Sequence, residues 1–149
     1  MEAAERQRIA EASAAAMWSR DVAAQRLGMR LEWVKLGESE MTMVVREEMA
    51  NGHGICHGGY IFTFADTCMA YAGNSRNAVS VAQTATITYV AAGRLGERLT
   101  ATAEERSHAG RTGIYDVTVR GEDGRVVAVF RGVCQRIKGE VAPGLGVVD

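Results

Sequence analysis

The sequence lacks the features that mark secreted, membrane-spanning and nucleic-acid-binding proteins. Its three cysteines (Cys56, Cys68 and Cys134) have no paired spacing, so they predict no disulfide framework and favour a reducing, cytoplasmic location. No run approaches the roughly 18 apolar residues of a membrane span, and the alanine-rich start lacks the apolar core of a secretion signal. Lys and Arg number 17 against 18 Asp and Glu, and this balance argues against nucleic-acid or anionic-membrane partners.

Proline is also scarce, with one residue in 149, and aromatic residues make up only 6% of the chain. Hydrophobic residues make up 47% and charged residues 23%, which is typical of a folded globular protein and excludes disorder of the highly charged kind. A chain of this length is expected to form one domain with a core of its own.

Helical patterns occupy the N-terminus and the middle of the chain. Helices are predicted over residues 2–16 and about 19–27, with Ser19 as the N-cap of the second and Gly28 as its end. Residues 59–72 are apolar on almost every side, which predicts a helix buried in the core.

The remaining residues show the patterns of β-strands. Two strands joined near Gly37 precede the apolar helix, and four follow it. The short links at 93–96, 109–112 and 121–124 predict antiparallel hairpins, because parallel pairs need long crossovers. Residues 139–149 contain the only proline and predict a flexible tail.

A helix that is apolar on all sides needs cover on all sides, and a curved antiparallel sheet supplies it. The predicted class is therefore α+β with a hot-dog fold, in which the sheet wraps around one central helix. The expected organisation is an N-terminal helical segment (1–28), the hot-dog domain (29–138) and the flexible tail (139–149).

Asp66 is the only charged residue in the 27 residues from Met49 to Ser75, and it lies in the middle of the apolar helix. Carboxylates are rarely buried without a partner, because removing water from an unpaired charge is costly. Asp66 either caps a backbone group or pairs with an arginine, or it borders a cleft that needs a reactive carboxylate. We predict that Asp66 borders a cleft.

The loop before this helix carries a second signal, in Asn51, His57, Gly58 and Gly59. The first amides of a helix have no internal partner, lie at the positive end of its dipole and can hold a carbonyl oxygen during acyl transfer. The alternative is that the glycine pair only permits tight packing.

Spacing along the helix predicts a dimer if both groups are catalytic. Gly58 and Asp66 are eight residues apart, which is roughly 12 Å along a helix axis. Reacting groups need to lie within about 3–3.5 Å of the atoms they act on. Antiparallel helices from two chains would bring each Gly58 near the other chain's Asp66, and two-fold dimers are the commonest homo-oligomers.

Three segments together resemble the phenylacetic acid degradation (PaaI-like) branch of hot-dog acyl-CoA thioesterases. They are N-G-H-G-I-C-H-G-G-Y-I-F-T-F-A-D-T, T-A-T-I-T-Y and T-G-I-Y-D-V-T-V, and the resemblance spans roughly Ala24 to Ile137. A departure is Ala82, at a place where some relatives carry a serine or threonine that holds water; Ser80, Gln83 and Thr84 lie nearby.

The resemblance implies hydrolysis of aromatic, phenylacetyl- or hydroxyphenylacetyl-type CoA thioesters without a metal or cofactor. It implies that the Gly58 amide polarises the thioester carbonyl and that Asp66 of the facing subunit acts as general base or nucleophile. Asn51 and His57 would orient the reacting groups. The expected assembly is a homodimer with shared active sites, or a tetramer built as a dimer of dimers.

Further substrate contacts are expected around these groups. The hairpin tip near Arg111 offers charges that either meet the phosphates of coenzyme A or are simply exposed. The predicted substrate-binding residues are Gly59, Tyr60, Thr67, Gln83, Thr84, Arg111 and His108. The N-terminal helix is expected either to close the pocket or to cover sheet or dimer surface.

Other chemistries fit the same residues less well. His53, Cys56 and His57 lack a second cluster that would complete a zinc site, and nothing orients Cys56 as a nucleophile towards His57. The alternatives that remain are a hot-dog enoyl-CoA hydratase or dehydratase, which would use His57 and Asp66, and a non-catalytic acyl-CoA binding module.

Overall fold

The computed structural model describes residues 1–149 and contains three α-helices and six β-strands. The helices are α1 (Ala3–Trp18), α2 (Val22–Arg26) and α3 (Gly58–Gly73). The strands are β1 (Arg30–Lys35), β2 (Glu38–Val44), β3 (Ala78–Tyr89), β4 (Arg98–Ala109), β5 (Thr112–Arg120) and β6 (Val126–Glu140). None of the helices combines the length and hydrophobicity that a membrane span requires.

The six strands form one antiparallel sheet in the order β1-β2-β4-β5-β6-β3, and α3 packs against every strand of it. Phe64, Cys68, Met69 and Tyr71 of α3 are buried in the core between helix and sheet. The predicted hot-dog fold, with a sheet around one central helix, is confirmed. The apolar pattern also located α3 to within one residue at each end.

The hairpin predicted at residues 93–96 is wrong. β3 pairs with β6 at the sheet edge, whereas β4 lies between β2 and β5. Residues 90–97 therefore cross from the edge to the middle of the sheet. Eight extended residues reach at most about 28 Å, and the three strand spacings to be crossed total about 14 Å. A short link therefore does not require that the strands it joins are neighbours.

Helix α1 packs beside β1 and reaches the C-terminal end of α3. The Ser13 hydroxyl donates to the Asn74 carbonyl oxygen at 2.7 Å, and the Gln7 side chain donates to the Val34 carbonyl oxygen at 2.8 Å. This segment is therefore joined to the domain by buried and partly buried hydrogen bonds.

The N-cap predicted at Ser19 is wrong, because α1 continues to Trp18 and the Ser19 N–H still bonds to the Ala15 carbonyl. Asp21 caps α2 instead, accepting from the Ala24 N–H at 3.3 Å. Gly28 follows this helix with a φ of +71°, which confirms its predicted role as the stop.

Residues 139–149 lie against the body of the protein, which differs from the flexible tail that their composition predicts. β6 continues to Glu140, and Asn77 then binds the segment that follows. The Asn77 side chain donates to the carbonyls of Ala142 and Gly146 at 3.0 and 2.9 Å and accepts from the Ala142 N–H at 2.7 Å. Val148 is only 3% exposed. These contacts are non-local, so composition does not reveal them.

Candidate active site

Asp66 faces a cavity from the middle of α3 without a partner for its charge. Its side chain is half-buried and makes no hydrogen bond or ion pair within the chain. The cavity has a volume of about 520 Å³. Desolvation by burial raises the pKa of Asp66 above its usual value. Neither a backbone cap nor an arginine accounts for this carboxyl, so the cleft interpretation fits the geometry.

The cavity walls combine α3 with parts of the chain that the sequence motifs do not include. Met17 at the end of α1 and Val141 and Pro143 of the tail line it. Ser80 and Ala82 at the start of β3 also line it. The N-terminal helix therefore borders the Asp66 cavity at Met17 and packs beside β1.

The start of α3 presents one unpaired amide. The His57 Nδ1 accepts from the Gly59 N–H at 3.0 Å, and the His57 carbonyl accepts from the N–H groups of Tyr60 and Ile61. The Gly58 N–H has no acceptor within the chain and lies at the positive end of the helix dipole. Of the two glycine amides in the predicted pair, Gly58 is therefore the one free to bind an oxyanion.

Asn51 shapes the loop that leads to this amide. Its Oδ1 accepts from the N–H groups of His53 and Ile55 at 2.9 and 3.3 Å, which is an Asx-type turn. Asn51 and Gly58 line a second cavity of about 450 Å³ together with Tyr89 and Gly93. The Asn51 side-chain NH₂ makes no hydrogen bond within the chain, so it is available to a ligand in this cavity.

Asp66 and Gly58 of one chain line different cavities. This agrees with the separation of roughly 12 Å that eight helical residues impose. One chain alone does not bring the carboxylate to the free amide.

The predicted substrate-binding residues of α3 and β3 have mixed placements. Tyr60 packs partly buried against the core, and the Thr67 hydroxyl donates back to the Thr63 carbonyl at 2.7 Å. Gln83 is the extra residue of a β-bulge, and it and Thr84 are exposed. None of these four side chains lines either cavity, whereas neighbouring Ser80 and Ala82 do.

Arg111 and His108 lie at the turn between β4 and β5, beside a small cleft that Arg136 also lines. Neither arginine has a carboxylate partner within ion-pair distance, unlike Arg76, the neighbour that pairs with Glu105 at 2.6 Å. The C-terminal residue, Asp149, borders the same cleft, and two of the cleft's residues (Ser80 and Cys134) also line the Asp66 cavity. Cationic side chains thus lie next to the cavity that holds the carboxyl.

Sequence reasoning missed Tyr89 among the site residues. Its hydroxyl donates to the Gly58 carbonyl at 2.8 Å, and its ring lines the cavity of the free amide. The available signal was its place at the end of T-A-T-I-T-Y, one of the segments that carry the family resemblance.

The hot-dog sheet, the cavity-facing carboxyl and the free amide of α3 define a class of thioester-cleaving enzymes. The chain belongs to the thioesterase superfamily, whose family model matches residues 53–128. The predicted family and its thioester hydrolase activity are confirmed at this level.

Individual relatives give a more specific match than the superfamily model does. The chain is 40% identical over 129 residues to the acyl-coenzyme A thioesterase PaaI of Escherichia coli strain K12, covering 87% of this chain and 92% of that protein. The solved structure of the E. coli PaaI protein from the phenylacetic acid degradation operon matches with a TM-score of 0.88 at 40% identity, over 90% of this chain and 97% of that one. A hypothetical thioesterase of Streptococcus pneumoniae TIGR4, solved with coenzyme A, matches with a TM-score of 0.71 at 27% identity, over 75% and 87% of the two chains.

Proposed function

We propose that the protein hydrolyses aromatic acyl-CoA thioesters, of phenylacetyl or hydroxyphenylacetyl type, to the free acid and coenzyme A. The observation that carries the proposal is Asp66, a carboxyl without a partner that faces a cavity large enough for an aromatic acyl group. The similarity to E. coli PaaI, named as an acyl-CoA thioesterase, supports the same substrate class.

The reaction needs an amide and a carboxylate on one thioester. The Gly58 N–H donates to the carbonyl oxygen, which gains negative charge as the carbon becomes tetrahedral. Ionised Asp66 takes a proton from water while the water oxygen bonds to that carbon. The carbon–sulfur bond then breaks, the sulfur leaves with a proton as coenzyme A, and the acid remains. In the alternative route an Asp66 carboxylate oxygen attacks the carbon, and the carbon–sulfur bond breaks so that coenzyme A leaves as the thiolate. Water then cleaves the resulting mixed anhydride, which releases the acid and a proton for the thiolate and restores Asp66.

Asn51 and His57 prepare the amide side of the site. Asn51 shapes the loop and offers its NH₂ group to the cavity, and His57 occupies the Gly59 amide so that only the Gly58 amide is free. His57 accepts at Nδ1, so the neutral ring carries its proton on Nε2. Nε2 makes no hydrogen bond within the chain, and in this proposal it orients the thioester.

A two-fold dimer through β3 unites the two halves of the site. β3 is an edge strand, and its residues Val81 and Tyr89 are exposed, as is Val90 just beyond it. Unpaired edges with exposed apolar side chains readily pair with a second chain.

The direction of β3 fits this assembly. Gly58 contacts Tyr89 at the C-terminal end of β3, whereas the Asp66 cavity is lined by Ser80 and Ala82 at the N-terminal end. Antiparallel pairing of two β3 strands sets the end of one beside the start of the other. It therefore brings each Gly58 towards the partner's Asp66, and two such dimers could then assemble as a tetramer.

The substrate's two ends meet different surfaces in this proposal. The acyl ring enters the Asp66 cavity, where Met17, Met69 and Val79 provide apolar walls. The phosphates of coenzyme A meet Arg111 and His108 at the neighbouring cationic cleft, as charge-assisted partners. Tyr60, Thr67, Gln83 and Thr84 then contact substrate only where the partner chain completes the site.

The protein's three thiols are all free and buried, which suits the reducing, cytoplasmic location that we propose. Burial raises the pKa of the Cys56 thiol beside the amide cavity to about 11, with a smaller contribution from Glu97. A thiol with so high a pKa is a poor nucleophile at neutral pH. This favours Asp66 over Cys56 as the reactive group.

The decisive experiment is a thiol-release screen over short, long, aromatic and hydroxylated aromatic acyl-CoA esters. We expect the highest kcat/KM for arylacetyl esters and none above background for Asp66→Ala. Hydration of enoyl-CoA without thiol release would support the hydratase alternative. Tight binding of acyl-CoA with no turnover of any ester would support a binding module. Either result would overturn the proposed hydrolase.

A further inference from the structure

Tyr89 joins the edge strand to the start of the central helix. Its hydroxyl donates to the Gly58 carbonyl oxygen at 2.8 Å. A Cβ added to Gly58 would lie 2.8 Å from Tyr89 Cζ, closer than real side chains pack. The phenol ring therefore packs directly against Gly58, and any side chain at position 58 would push it aside.

The Gly58 N–H belongs to the peptide whose His57 carbonyl is held by the first turn of α3, and Tyr89 contacts the other side of the residue, at the Gly58 carbonyl and Cα. Glycine has the greatest backbone freedom of all residues, and helix ends fray. The His57 side chain bonds to the Gly59 amide and leaves the Gly58 N–H unpaired. An oxyanion donor is effective only when it lies about 2.7–3.1 Å from the developing charge. Small misplacements are costly in rate.

We propose that Tyr89 is a positioning residue that sets the direction of the Gly58 N–H towards the thioester carbonyl. The inference rests on the proposed function, in which that amide is the oxyanion donor. Tyr89 acts through two contacts: its hydroxyl holds the Gly58 carbonyl, and its ring closes the side of Gly58 that a Cβ would fill. A side chain at position 58 would displace the Tyr89 ring and with it the hydrogen bond to the Gly58 carbonyl.

The location of Tyr89 fits this role better than a role in the core. It is 50% exposed and lines the same cavity as Gly58 and Asn51. Its removal therefore leaves the buried core intact. β3 is also the strand through which the proposed dimer forms. The Tyr89–Gly58 contact therefore links formation of the dimer to the position of the Gly58 amide, which shares a site with the partner's Asp66.

The first test replaces Tyr89 by Phe, which keeps the ring and removes only the hydrogen bond. We expect kcat for an arylacetyl-CoA ester to fall about 10-fold, with KM changed less than about 2-fold. Binding of an S-alkyl-CoA thioether, which has no carbonyl to accept from Gly58, should be unchanged. Thermal unfolding and gel filtration check that the fold and the oligomeric state are kept.

The second test is a double-mutant cycle between the two residues. Gly58→Ala should be far less damaging in a Tyr89→Ala background than in the wild type, because the added methyl group then meets no ring. The cycle is measured both in kcat and in the free energy of unfolding. The unfolding measurement tests the contact between the two residues even in variants that are inactive.

Three results would overturn the inference. They are a Tyr89→Phe enzyme with wild-type kcat, a loss confined to KM and thioether binding, and additive effects in the cycle. If the wild type is active and dependent on Asp66 while any of these holds, only the role of Tyr89 fails. A wild type that releases no thiol from any ester overturns the proposed function and this inference together.

Discussion

Burial of Asp66 in the folded protein disfavours its ionised form. Its pKa is raised by desolvation, so the folded protein holds the proton more tightly than the unfolded chain does. Folding stability therefore falls as pH rises from about 4 through the raised pKa of Asp66. The proposed reaction needs the carboxylate, so activity should rise over the same interval. Stability and activity oppose each other at this residue.

Replacing Asp66 by Asn tests this opposition. We expect thiol release to fall at least about 100-fold, while the melting temperature at pH 7 stays equal to that of the wild type or rises. The pH dependence of kcat/KM, followed from pH 4 to 8, should show an acidic limb in the wild type only. A variant that is both active and less stable would contradict the role assigned to Asp66.

The elements that flank the cavity are anchored by groups far from the catalytic motif. The tail is anchored at Asn77, which is fully buried, adopts a φ of +67° and makes three side-chain hydrogen bonds to the tail. The crossing segment 90–97 is anchored at Glu97, which accepts from the Arg94 and Glu122 N–H groups and from Arg125. Arg125 also donates to the Ala92 carbonyl at 2.7 Å. Both anchors hold walls of the proposed site.

Asn77→Gly permits the positive φ but removes the three hydrogen bonds. We expect a loss of about 1–3 kcal/mol in unfolding free energy and release of the tail. Hydrogen exchange should then lose protection at the Val148 amide, which bonds to the Arg76 carbonyl at 2.9 Å in the wild type. Retained protection at Val148 would show that Asn77 does not hold the tail.

Arg125→Met leaves Glu97 with a buried charge that lacks its main partner. Glu97 is only 8% exposed, so we expect a loss of about 2–3 kcal/mol in urea unfolding. Arg131→Met is the matched control, since Arg131 pairs with Asp116 at the exposed sheet surface. Exposed pairs contribute little, so the control should be close to wild type. Equal losses in the two variants would contradict the importance of the buried anchor.

The whole molecule has two halves of a site at opposite ends of its edge strand, so the active unit is predicted to be the dimer. In a homodimer of Asp66→Asn every site lacks its carboxylate, and in one of Gly58→Pro every site lacks its amide. A mixed dimer of the two variants keeps one complete site, formed by Gly58 of one chain and Asp66 of the other.

Mixing the two inactive variants by co-expression should restore about a quarter of wild-type activity, because half of the dimers are mixed and each has one working site of two. Differential tags and gel filtration measure how many mixed dimers form. If mixed dimers are present without activity, the two groups do not share a site across the interface.

The sequence by itself determined the central helix, its single carboxyl and the class of enzyme. These features depend on residues close together in the sequence: apolar side chains on every face of α3, one charge at Asp66, and the loop from Asn51 to the His-Gly-Gly at the helix start. Local patterns of this kind are set by hydrophobicity and backbone preference, so they can be predicted before the fold is known.

Only the tertiary structure decided which strand lies at the edge, what anchors the tail and what holds Gly58. The 90–97 link is long enough to reach several strands, so its length could not identify β3 as the edge strand. The contacts of Tyr89 with Gly58 and of Asn77 with the tail join residues 31 and 65 or more positions apart. Such contacts depend on how the chain packs as a whole, and no local pattern encodes them.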